Sequence, residues 1–111
     1  MKEFALLFRP TRSVSAAEAS ARNAGAREWA LAGVRDGRLR DAIPLEDEGL
    51  VVTREGTEPS PRTPTIAAVL LLRAESMAQA VEMVREHPGL AYGSEIEIRE
   101  VKSSASRELR S

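Results

Sequence analysis

Apolar residues fall into three patterns along this chain, and each pattern predicts a different element. Two stretches, residues 3–9 and 65–73, hold unbroken apolar runs: Phe4-Ala5-Leu6-Leu7-Phe8, and Ile66 through Leu72 with β-branched Ile66 and Val69. Pro10 stops the first, and Pro59, Pro61 and Pro64 precede the second, so both read as strands. A strand apolar at consecutive positions is covered on both faces, which places these two in the middle of a sheet. Residues 94–101 alternate instead, Ile96 and Ile98 against Glu95, Glu97 and Arg99. That period predicts a strand with one wet face, at a sheet edge.

The third pattern is helical. Ser15 and Glu18 fit a capping box, followed by a stripe of Ala26, Trp29, Ala30, Gly33 and Val34 and a C-cap at Gly37. Arg22 and Asn23 interrupt the same stripe one turn earlier. A second helix starts at Ser76, with Gln79 completing its own capping box. Met77, Ala80, Val81 and Val84 line one face, and His87-Pro88-Gly89 stops it. Between the helices, residues 38–45 predict a strand in which Leu39, Ile43 and Leu45 share a parity that Asp41 interrupts, and Pro44 argues for an edge. Residues 46–49 read as a turn, 50–53 as a short extended segment, and 55–64 as a loop rich in proline and threonine. Residues 1–102 form one domain, and 103–111 a disordered polar tail.

The order strand, helix, strand, short segment, strand, helix, strand predicts an α+β domain of the split βαβ, ferredoxin-like kind. Its antiparallel sheet holds the first and third main strands centrally, with two helices on one face. The other face then carries every second residue of 4–8 and 66–72, too apolar to leave in water. A second copy packed sheet to sheet is the simplest cover, so a homodimer through the open sheet face is expected.

Composition narrows the chemistry. Sixteen basic against 17 acidic residues leave a formal net charge of −1, which favours neither nucleic acid nor an anionic membrane. Arg35, Arg38 and Arg40 are matched by Asp36 and Asp41 and form no nucleic-acid footprint. The absence of cysteine removes thiol catalysis and sulfur-ligated metal sites. Met1-Lys2-Glu3-Phe4 does not read as a signal peptide, and no run approaches the ~20 apolar residues of a membrane helix, so a cytoplasmic location is expected. Glu46, Asp47 and Glu48 lack the alternating spacing of a calcium loop and read as a solvated turn.

Several stretches together resemble the YCII-related (DGPF-domain) proteins, small dimeric α+β barrels. These are the opening strand Met1 to Leu7, Trp29 ahead of Asp36-Gly37-Arg38-Leu39, the strand before Arg73-Ala74-Glu75-Ser76, Ala80-Val81-Glu82, and Pro88-Gly89-Leu90-Ala91-Tyr92-Gly93-Ser94-Glu95-Ile96-Glu97-Ile98-Arg99. The resemblance implies the same fold and a dimer. Arg54-Glu55-Gly56-Thr57-Glu58-Pro59 stands where the family's Asp-Gly-Pro-Phe should lie, and Ala67 and Ala68 replace its glycines. Some relatives carry a catalytic histidine–aspartate pair. The one histidine here, His87, matches no such motif.

In a split βαβ sheet one rim gathers the end of the first strand, the start of the third and fourth, and the end of the second helix. Arg9, Arg62, Thr65, His87, Tyr92 and Ser94 are expected there. Of these, Arg9, Arg62, His87 and Tyr92 form the candidate binding site for a small anionic organic molecule, with His87 favoured in its protonated form by the helix C-terminus. No cofactor, metal or catalytic residue is assigned. A cleft lined by Ala67, Val69 and leucines points to a non-catalytic binding or regulatory module, or to a purely structural subunit. A titratable group inside the barrel points instead to an enzyme on a small organic substrate, of the lactone isomerase or cofactor-free oxygenase type.

Overall fold

The computed structural model describes residues 1–60, 66–103 and 109, the Ser60 side chain excepted. The main elements are β1 (Lys2–Pro10), α1 (Ala16–Asp36), β2 (Leu39–Pro44), β3 (Gly49–Thr53), β4 (Gly56–Ser60), β5 (Ala68–Ala74), α2 (Met77–Val84) and β6 (Ser94–Glu100), with a 3-10 turn at Pro88–Tyr92 between α2 and β6. β2, β5, β1 and β6 form one antiparallel sheet in that order, so the two doubly apolar strands lie in its middle. The domain is α+β with the ferredoxin-like arrangement.

Alternation sorts the central strands onto two faces. Phe4 stands opposite Leu72 and Leu6 opposite Leu70, and all four are buried beneath the helices with Phe8, Leu39, Ala74, Ala80 and Val84. Burying a side chain of Leu or Phe size contributes about 1.5–3 kcal/mol, so this layer carries most of the fold's apolar stabilisation. The intervening residues point the other way: Ala5 opposite Leu71 and Leu7 opposite Val69, all half-buried. Ion pairs flank this open face, Arg9–Glu97 at 2.7 Å and Arg40–Glu3 at 2.8 Å.

α1 begins with the reciprocal capping box of Ser15 and Glu18, whose bonds hold the Glu18 carboxyl below the usual carboxylate range. It closes at Gly37, left-handed at φ 86°. At Ser76 only half of the expected box forms: Ser76 accepts from the Gln79 N–H, but the Gln79 amide oxygen accepts from the Glu75 N–H.

Three expectations change. The shared parity of Leu39, Ile43 and Leu45 does not hold, because the pairing of β2 with β5 shifts register between Leu39 and Asp41. One extra residue flips the faces that follow. Leu39 is buried and Ala42 packs against the core, whereas Ile43 and Leu45 are exposed. Residues 56–60, read as loop, form β4, which pairs with β3 across a two-residue turn at Arg54 and Glu55. The second helix ends at Val84 rather than at His87, which caps the following 3-10 turn. The tail expected over 103–111 lies outside the described residues apart from Ser103 and an exposed Leu109. Among the described residues no helix is long and apolar enough to cross a membrane.

Candidate functional site

A cleft of about 560 Å³ separates α1 from the helix-covered face of the sheet. It exists because the residues facing across it are small: Ala26 and Ala30 on α1, Ala42 on β2, Ala67 just before β5, and Ala68 at its start. Gly33 sets the spacing at one end of α1. A Cβ there would lie 2.7 Å from Leu39 Cδ1, so the helix is seated directly on β2 at that point. Gly25 does the same nearer the N-terminus, where an added Cβ would meet Pro88 at 3.0 Å. Between these supports the alanines leave space unfilled. Leu31, Val34 and Ile43 form an apolar mouth, each more than 40% exposed.

His87 forms part of the cleft wall. It is 4% exposed, the one buried polar residue among those described. Phe8 and Trp29 flank its ring edge-on, with centroids at 4.5 and 4.9 Å. Burial pushes its pKa down from 6.5 to about 4, because the cation cannot be hydrated there. Nδ1 accepts the Gly89 N–H at 2.9 Å, capping the 3-10 turn. A neutral imidazole accepting at Nδ1 carries its proton on Nε2. Nε2 has no hydrogen-bond partner among the described residues, so the ring has one donor to offer. Trp29 Nε1, beside it, is buried and likewise unpartnered among the described residues.

The remaining polar lining comes from α1 and β2. Arg22 donates from Nε to Asn23 Oδ1 at 3.3 Å, Arg27 forms no ion pair among the described residues, and Asp41 accepts the Ala42 N–H at 2.9 Å. This makes an apolar slot with a neutral donor inside and guanidinium groups along α1. Among the described residues no cluster of three or more histidine, aspartate or glutamate side chains could hold a metal ion.

The expected rim is divided by the sheet. His87 and Ser94 line the cleft. Arg9 lies on the opposite face, held by Glu97, because its parity in β1 is that of Ala5 and Leu7. Tyr92 is half-buried in the 3-10 turn and does not line the cleft. Arg62 and Thr65 lie outside the described residues. Ala67 and Leu70 line this cleft on the helix-covered face, not one on the open sheet face, and Val69 faces away from it. His87 is neutral rather than cationic because burial disfavours the charged ring, even though its backbone N–H donates to Val84 O at the end of α2. Arg22, Asn23 and Arg27 were missed. The signal was present, for Arg22 and Asn23 break the apolar stripe of α1 at the positions where the helix borders open space.

No family model matches the chain, and no curated protein matches it.

Proposed function

We propose that the chain is a non-catalytic binding module for a small organic molecule with an apolar body and a hydrogen-bond-accepting head, a carboxylate above all. The observation that carries this reading is the alanine-lined cleft ending on a buried, neutral His87 with an uncommitted Nε2–H. Sites of this class are mostly apolar with few convergent polar groups, and about 560 Å³ falls in their usual range. The head group accepts from Nε2–H, and Arg22 and Arg27 along α1 favour a negative charge. Binding without turnover is supported by the state of His87: its Nδ1 lone pair is already occupied, and a pKa near 4 makes a weak general base at neutral pH.

The reading includes a homodimer through the open sheet face, where Ala5, Leu7, Val69 and Leu71 form an apolar strip between ion pairs. It also keeps the resemblance to the YCII-related proteins as a proposal.

Trp29 reports on the site, being the one tryptophan and lying 4.9 Å from His87. Its emission is followed against aromatic and medium-chain carboxylates, with the matching alcohols as controls. A saturable change is expected for carboxylates, weakened about tenfold or more in His87→Ala, the loss of a hydrogen bond to a charged group. No saturable change with any compound at millimolar concentration would sink the reading.

A further inference from the structure

The hairpin of β3 and β4 stands apart from the four-stranded sheet, and among the described residues its β3 edge is unpaired. Its two-residue turn makes Thr53 and Gly56 the hydrogen-bonded pair that closes the loop, and hydrogen-bonded and non-hydrogen-bonded pairs alternate from there. Gly49, Val51 and Thr53 therefore direct their backbone groups to β4, while Leu50 and Val52 direct theirs outward. No described residue pairs with them. The other edge of the hairpin is blunted. Pro59 stands opposite Leu50, in a position whose N–H would point outward, and proline has none. The open edge is also apolar: Leu50 is 70% and Val52 76% exposed. An uncharged, β-branched strand with a free edge is a template for pairing with another chain.

The geometry points to a specific occupant, β3 of a second copy, paired antiparallel about a two-fold axis at Val51. In that register Leu50 stands opposite the partner's Val52, Gly49 opposite the partner's Thr53, and Val51 opposite the partner's Val51. Leu50 and Val52 are the residues with outward backbone groups, so this register is also the one in which both exchange hydrogen bonds across the axis. Charge agrees with it. Glu48 falls opposite the partner's Arg54, and the axis repeats this pair. Neither Glu48 nor Arg54 has an ion pair among the described residues. Over Glu48 to Arg54 the strand is thus self-complementary in hydrogen bonding, side-chain bulk and charge, which an unrelated partner strand has no reason to match. This interface is separate from the open sheet face and does not depend on it.

The chain has no cysteine, so Val51→Cys introduces a single thiol. Across the axis this non-hydrogen-bonded pair has Cα atoms about 4.5 Å apart, within disulfide reach. Thr53→Cys is the control, because two copies of that position stand more than about 13 Å apart in the same register. Mild oxidation of folded protein at micromolar concentration is expected to yield covalent dimer at least about tenfold faster for Val51→Cys than for Thr53→Cys. Adding Glu48→Arg to Val51→Cys slows cross-linking about tenfold by placing like charges together, and adding Arg54→Glu as well restores it. Cross-linking persists with Leu71→Asp, which disrupts only the open sheet face. Equal rates at the two cysteine positions, no covalent dimer from folded protein, indifference to Glu48→Arg, or loss of cross-linking with Leu71→Asp would each overturn the proposal.

Discussion

The Gly89 N–H donates to His87 Nδ1 at 2.9 Å, and this bond decides which proton His87 offers to the cleft. It fixes the Nε2–H tautomer, orients the ring between Phe8 and Trp29, and caps the 3-10 turn at once. The approach is tight, since a Cβ on Gly89 would lie 3.0 Å from Nδ1. Gly89→Ala is therefore expected to turn the ring and weaken carboxylate binding, even though residue 89 does not bear the donor. The Trp29 emission titration checks this. Binding unchanged in a folded Gly89→Ala protein would show that ring orientation is not set here.

His87 also predicts a pH dependence. Its pKa lies below the unfolded value, at about 4 against 6.5, so the unfolded chain takes up the proton more readily. Stability is full above pH 6.5 and falls as pH drops toward 4. At 1.36 kcal/mol per pH unit the window corresponds to roughly 3 kcal/mol. Urea denaturation between pH 7 and 5 follows the upper part of this slope, where carboxylates contribute little. His87→Gln should flatten it. The same slope in wild type and variant would mean that another group titrates.

Gly33 tests how α1 is seated. Alanine there brings a Cβ against Leu39, a buried residue, and overpacking of this kind costs about 1–3 kcal/mol, offset by about 1 kcal/mol of helix propensity. Chemical denaturation should show a net loss of up to about 2 kcal/mol. The loss should shrink in a Leu39→Val background, because the two side chains share one space. Additive losses would place the strain elsewhere.

The two faces of β5 separate stability from assembly. Leu70 is 5% exposed in the core, so Leu70→Asp is expected to unfold the protein. Leu71 lies on the open face opposite Ala5, so Leu71→Asp should leave a folded chain with the open-face dimer lost. Circular dichroism with light scattering distinguishes the outcomes. A wild-type chain that is monomeric at micromolar concentration would end the open-face proposal.

Filling the cleft should abolish binding without unfolding the chain. Ala30 is half-buried on α1 and faces open space, so Ala30→Leu should cost less than about 1 kcal/mol while displacing a ligand's apolar body. Binding should weaken at least about tenfold in the Trp29 assay, roughly 1.4 kcal/mol. Unchanged affinity in the folded variant would locate the ligand elsewhere.

Periodicity by itself determined the frame. The unbroken runs 4–8 and 66–72 require cover on both faces, and the alternation of 94–101 requires it on one, so strand order and helix side followed from hydrophobic burial. The capping box at Ser15 and the C-cap at Gly37 were legible because capping is local chemistry between residues a few positions apart. What the tertiary structure decided rests on contacts between distant residues. The register shift between Leu39 and Asp41 arises from pairing with β5 and reverses the faces of Ile43 and Leu45. Pro59 signalled a loop, yet a proline is compatible with β4 when its missing N–H falls on the outer edge, and only the partner strand fixes which edge that is. His87 looked like a helix end. It became a buried neutral donor because Phe8, Trp29 and Gly89 enclose it, from positions no short-range pattern connects. Desolvation depends on everything packed around a group, and that sum exists only once the chain has folded.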